Sequence, residues 1–141
     1  MININCFIIN LKRCHDKRSR MIERMKKYPE INYEIYDAID GQNLTEEYMN
    51  NNNYKLLDEW LDPFQNRKMT KGEIGCSISH YSVYEKAFSM EHEITLVLED
   101  DAEFSDDFID KLKRTLQDLD TIDWDMCYLG RKKMNINDEE E

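Results

Sequence analysis

The run Leu96, Val97, Leu98, Glu99, Asp100, Asp101 is an apolar segment that ends in three consecutive carboxylates. Acids so placed can hold a metal. Ile94 to Leu98 has the short, partly β-branched character of a buried strand. Side chains alternate in a regular strand, so Glu99 and Asp101 are expected to project together and Asp100 oppositely, until the chain turns. Adjacent carboxylates repel one another by roughly 1 to 3 kcal/mol per pair at an effective dielectric between that of a protein surface and bulk water. A divalent cation turns that repulsion into binding, and hard oxygen donors favour magnesium, manganese or calcium over zinc or copper. The competing reading is a charged loop leading into the next helix, with Ser105 as N-cap and Asp106 and Asp107 at its positive end. An EF-hand is disfavoured, because no Gly sits at the required turn and no Glu closes a twelve-residue loop.

The elements that position these acids follow from periodicity. Cys6 to Leu11 reads as a first strand and Asp16 to Tyr28 as a helix with Met21, Ile22 and Met25 on one face. Tyr33 to Ile39 alternates like a second strand and stops at the turn signal Asp40-Gly41. Thr45 to Leu61 is an irregular, partly helical excursion interrupted by Asn50 to Asn53 and closed by Asp62-Pro63. Thr70 introduces a long helix, Gly72 to Met90. The acid-ended strand follows, then a helix from Asp106 to Leu119 and a last strand around Trp124 to Leu129. Strands alternating with helices predict a three-layer α/β arrangement with a mainly parallel sheet. Ligands bind such sheets beyond the carboxyl ends of the strands, where Asn10 to Arg13, Asp40-Gly41, Glu99 to Asp101 and Gly130-Arg131 all fall.

Composition bounds the partners. A chain of 141 residues makes one domain, and a formal charge of -11 opposes nucleic acid and anionic membranes. Cys6, Cys14, Cys76 and Cys127 lack CxxC or zinc-finger spacing and read as reduced core thiols. The segment Ile2 to Leu11 is too short and polar for a signal peptide or membrane span, which makes a cytoplasmic location the default. Asp138 to Glu141 reads as part of an acidic, disordered tail over residues 135–141, leaving residues 1–134 as the domain.

An ordered series of motifs carries a resemblance. It comprises Ile8-Ile9-Asn10-Leu11 with Arg13, Asp16 and Arg18, then Asp37-Ala38-Ile39-Asp40-Gly41, then Thr70 to Cys76 with Ser79-His80, and then Leu98 to Asp101. This series resembles glycosyltransferase family 25, and the stretch Asp123 to Met134, like Asp62-Pro63 followed by TKGEIGC, is similar to its procollagen galactosyltransferase branch. The resemblance implies an A-type, Rossmann-like glycosyltransferase fold that binds a nucleotide sugar. It also implies inverting transfer of galactose from UDP-galactose, with Mn2+ or Mg2+, to an acceptor such as hydroxylysine of a collagen-like protein. A glycan or lipopolysaccharide acceptor and an inactive, scaffold-like relative are the alternatives.

Residue by residue, the resemblance implies Asp101 as direct metal ligand, Glu99 as a helper through water, and Asp100 in the metal shell or on the ribose. It places Asn10, Arg13, Arg18, Asp40, Gly41, Lys71, Gly72 and Glu73 around the nucleotide sugar. The competing reading of Arg18 is a surface residue paired with an acid, and Glu73 reads equally as a helix cap. His80 is expected to be a hydrogen-bonded packing residue, and Tyr81, Tyr84 and Phe88 core rather than a sugar platform. Arg131, Lys132 and Lys133 either meet phosphate or form a solvated strand exit. Family members continue past the point where this sequence stops, so the C-terminal part of the fold is expected to be missing, with a partner chain or an exposed edge in its place. The catalytic base is unassigned. Collagen-modifying relatives point by analogy to the secretory pathway.

Overall fold

The computed structural model describes residues 4–90 and 94–130. They divide into two units, residues 1–102 and residues 103–141, described separately below.

In the first unit β1 (Ile4–Asn10), β2 (Asn32–Asp37) and β3 (Ile94–Glu99) form a parallel sheet in the order β2-β1-β3. The central strand is the most apolar, and six of its seven residues are buried, as a strand covered on both faces requires. Helices α1 (His15–Met25), α2 (Glu46–Asn51) and α3 (Lys71–Ser89) complete the unit. The crossover from β1 to β2 carries α1, and the return from β2 past β1 to β3 carries α3. Right-handed crossovers running in opposite directions set their helices on opposite faces of the sheet. Strand parity agrees: Phe7 and Ile9 pack with Val83 and Ala87 of α3, whereas the side chain of Asn10, on the Ile8 face, reaches the Cys14 carbonyl at the start of α1. The expected parallel α/β arrangement is therefore observed. Its point of topological reversal lies between the carboxyl ends of β1 and β3, where such sheets bind ligands.

Local chemistry explains the element ends. Thr70 and Glu73 form a capping box at the start of α3, and Thr45 caps α2 by accepting from the Tyr48 amide. Asn53 and Asn66 take positive φ, which asparagine tolerates better than most residues, and so break the excursion between α2 and α3. The strand expected at Tyr33 to Ile39 ends at Asp37, and the next amide, Ala38, donates to the Asn10 carbonyl. Helix α1 stops at Met25 rather than Tyr28, where Lys27 and Tyr28 turn back onto the Arg24 and Met25 carbonyls.

In the second unit α4 (Phe108–Leu119) buries Leu112, and the Phe104 and Phe108 rings stack at 4.5 Å. The helix begins two residues later than expected: Asp107 rather than Ser105 stands at its N-cap, and the Ser105 carbonyl instead accepts the Phe108 amide in a preceding turn. The strand expected around Trp124 to Leu129 does not form. A strand exists only with a ladder partner, and the sheet of the described residues has three strands. Residues 131–141, which carry the basic cluster Arg131 to Lys133 and the acidic tail, lie outside the described residues, as does His92.

Candidate functional site

The three consecutive acids part at the end of β3. Glu99 is the last strand residue, paired across the ladder with Ile9, and like Ile9 it faces α3. Asp100 points to the other face, where its Oδ2 accepts from Asn10 Nδ2 at 2.7 Å and its Oδ1 from Lys17 Nζ at 3.1 Å. The chain turns there, so Asp101 joins Asp100 instead of Glu99 and takes the same ammonium at 3.0 Å. The expected pairing of Glu99 with Asp101 is thus replaced by Asp100 with Asp101. Strand alternation ends one residue earlier than that expectation required.

Asn10 is 1% exposed, and its second donor contact, to the Cys14 carbonyl, is long at 3.4 Å. Its Oδ1 is buried with no hydrogen-bond partner, a costly condition for an amide oxygen in a protein interior. Lys17 was not singled out from the sequence. Its only signal was its place one turn into the helix that follows Asn10. Both carboxylates raise the pKa of its ammonium, Asp101 foremost. Arg24 of α1 donates to the Ala102 carbonyl and holds the acid-bearing turn to the same helix.

A second group surrounds the Asp40-Gly41 turn. Arg13 Nε donates to Asp40 Oδ2 at 2.6 Å, and that bond, followed by the Gln42 amide, holds the Asp40 carboxyl below its usual range. Arg18 pairs with Asp37 at 3.2 Å, the acid-paired surface role. A shallow cavity of about 600 Å³ opens beside the turn, lined by Lys12, Arg13, Ile39, Asp40, Leu44 and Tyr48 among others. Its mixture of cationic, apolar and aromatic groups suits a planar base attached to an anion. A cavity of about 400 Å³ near Met25 to Tyr33 lies at the amino end of β2, away from the strand ends that carry the acids.

Gly41 meets the start of α3 so closely that a Cβ built on it would lie 1.8 Å from the Lys71 carbonyl oxygen. Gly75 faces the same turn, with a Cβ position 2.7 Å from both Gly41 N and Ile39 O. Ser79, fully buried, donates to the Gly75 carbonyl and accepts from the Ile39 amide. These residues tie the TKGEIGC segment to the end of β2. At Gly72, by contrast, a Cβ would meet only the Thr70 hydroxyl, at an ordinary contact of 3.9 Å. Glu73 is consumed locally: Arg67 grips both its oxygens at 2.8 Å, and Thr70 donates its amide and hydroxyl. The Arg67 contact, reinforced by Thr70, lowers its pKa to about 2. Of the two roles open to Glu73, capping is the one its bonds perform.

On the α3 face His80 Nε2 lies 3.2 Å from Glu99 Oε1, and its Nδ1 lies 3.4 Å from the Tyr84 hydroxyl. All four cysteines are free, but only Cys6 is a core thiol, its pKa pushed up to about 12 by burial, whereas Cys76 is exposed. Tyr81, Tyr84 and Phe88, expected in the core, are exposed. Helix α3 turns Gly75, Ile78, Ser79 and Val83 inward, which leaves the aromatic triplet on the far side.

The sequence profile of glycosyltransferase family 25 (LPS biosynthesis protein) matches residues 3–141. The chain belongs to glycosyltransferase family 25. This family-25 chain is 39% identical over 96% of its length to procollagen galactosyltransferase 2 of Mus musculus and 36% identical over 96% to procollagen galactosyltransferase 1-A of Xenopus laevis. It is also 38% identical over 94% to the inactive glycosyltransferase 25 family member 3 of Homo sapiens. It spans 22% of the length of each of these relatives. No solved structure matches it. No helix among the described residues is long and apolar enough to cross a membrane.

The Asp100 and Asp101 carboxylates offer the oxygen donors that a hard divalent cation prefers. Asp100 and Asp101 already converge on one cationic centre, the Lys17 ammonium, and the orphaned Asn10 oxygen lies on the residue that positions Asp100. Both anionic donors are oxygens, the set that magnesium and manganese prefer.

Proposed function

We propose that this chain carries the nucleotide-sugar site of a metal-dependent, inverting galactosyltransferase of the A-type fold, with UDP-galactose as donor. The observation that carries this reading is the convergence of Asp100 and Asp101 on one cation beside buried Asn10, at the reversal point of a parallel sheet. Asp101 is the direct ligand of Mn2+ or Mg2+ and Asp100 its partner. Glu99 stands outside the set, because it bonds His80 on the other face. The ion, when bound, neutralises charge that builds on the departing diphosphate.

The chain's own residues supply the rest. Asn10 holds Asp100 in its orientation, and Lys17, which bonds both acids, would be the cation available to the diphosphate when a metal takes its place between them. The cavity beside Asp40 takes the uracil and ribose, with Arg13 and Asp40 at its rim and Gly41 allowing the turn to dock on Lys71. Arg18, Gly72 and Lys71 border this region as supporting positions. The relatives named procollagen galactosyltransferases support a collagen-like protein as acceptor, and the same proposal takes hydroxylysine as the receiving side chain and the secretory pathway as the place of action.

A second reading is favoured by one specific observation. A relative named as inactive is 38% identical, a similarity close to that of the galactosyltransferases, so overall identity does not separate an enzyme from a binding relic. Calorimetric titration of UDP into the chain with and without Mn2+ tests the common part, and metal-dependent binding is expected. Binding that ignores the metal, or none, contradicts it. Transfer of labelled galactose to a hydroxylysine peptide then separates enzyme from relic.

A further inference from the structure

Among the described residues, one cluster of mixed metal-ligand types lies apart from the paired aspartates. Cys76 and His80 stand four residues apart on α3, and Glu99 reaches them from the end of β3. One ligand atom from each lies within 4.8 Å of the other two. Residues at i and i+4 share a helix face, which lets a single helix supply two ligands to one ion. The third ligand comes from a different element, and that makes the site depend on the folded sheet.

The His80–Glu99 distance fits a shared tetrahedral ion, and the Cys76 sulfur lies near it. Zinc bonds to imidazole and carboxylate of about 2.0 to 2.1 Å put those two donors about 3.3 Å apart, and a thiolate about 3.6 Å from the nitrogen. His80 Nε2 and Glu99 Oε1 already lie 3.2 Å apart. Cys76 is exposed, so its thiol can close the remaining distance, at most about 1 Å, by rotating about χ1. Without an ion the Glu99 carboxylate accepts from His80 Nε2–H; an ion taking the Nε2 lone pair would shift the imidazole proton to Nδ1, which lies 3.4 Å from the Tyr84 oxygen. Three protein donors leave a fourth position for water. One sulfur, one nitrogen and one oxygen select a borderline ion of the zinc type, whereas the two aspartates on the opposite face select a hard one.

We propose that Cys76, His80 and Glu99 form a zinc(II)-type site on the α3 face, separate from the Asp100–Asp101 pair. Binding releases the Cys76 thiol proton to solvent as the sulfur–metal bond forms, with no change of oxidation state. The ion also pins α3 to the end of β3.

Cobalt(II) added to the reduced, metal-free full chain tests this, because a cobalt–thiolate bond gives a near-ultraviolet charge-transfer band. The band is expected in the native chain, to be displaced by zinc, to vanish in Cys76→Ser, and to need at least about tenfold more cobalt in His80→Gln. It is expected unchanged in Asp101→Asn. A band absent from the native chain, retained in Cys76→Ser, or lost in Asp101→Asn overturns the proposal. A measurement without variants guards against misfolding: zinc is expected to slow alkylation of Cys76, read by peptide mass spectrometry, at least about tenfold while leaving Cys14 and Cys127 unaffected. Equal rates with and without zinc overturn it.

Discussion

The two faces of the sheet meet the end of β3 in different ways. On the α1 face a buried amide holds Asp100, and one ammonium joins Asp100 to Asp101. On the α3 face Glu99 is half exposed, and its recorded partner is the His80 imidazole. Three adjacent acids are thereby sorted to two chemistries by a single residue of strand alternation followed by a turn. Asp100, 12% exposed beside buried Asn10, is costly to disturb, whereas Asp101 at 64% and Glu99 at 56% are screened by solvent.

The largest contrast is expected between Gly41 and Gly72, two glycines of one docking region. Gly41→Ala drives a Cβ into the Lys71 carbonyl and should cost about 3 kcal/mol in urea denaturation. Gly72→Ala makes only an ordinary 3.9 Å contact with the Thr70 hydroxyl in a helix and should stabilise by about 0.5 kcal/mol. Equal effects would mean that the turn does not dock on α3. Next, Asn10→Leu should destabilise by about 3 kcal/mol, because Asp100 loses its buried donor. His80→Gln, on the exposed side, should change stability by less than about 1 kcal/mol in the metal-free chain. A reversed order would remove the distinction between the two faces.

Ser79→Ala comes next, at about 1 to 2 kcal/mol, since the Ile39 amide loses its acceptor while the Gly75 carbonyl loses only a donor. The smallest effect concerns Glu73. Its folded pKa of about 2 lies below the ordinary value of 4.5, so it favours the folded state above pH 4.5, and that contribution fades as pH falls toward about 2. Acid titration of the melting temperature should show a shallower decline across this window in Glu73→Gln. An unchanged slope would mean that the Arg67 grip does not persist in solution.

Much of this was legible in the residues themselves. The apolar strand runs, the Thr70 cap and the Asp40-Gly41 turn all rest on local periodicity or local hydrogen bonds, which a sequence displays directly. The strand expected near Trp124 failed because pairing is a long-range property that an apolar pattern cannot guarantee. Tyr81, Tyr84 and Phe88 have helical spacing, but spacing reveals that residues share a face and not which face turns inward. Small residues, Gly75 and Ser79, occupy the inward side because the turn after β2 comes so near. Cys76 and His80 could be read as a helix pair, yet Glu99 joins them only once the sheet order is known.

The division of the acids is tested most directly by titrating UDP with Mn2+ into Asp101→Asn and Glu99→Gln side by side. The account predicts that Asp101→Asn abolishes the metal-dependent part of binding and that Glu99→Gln leaves it within about twofold of the native chain. Loss in Glu99→Gln with retention in Asp101→Asn would contradict it.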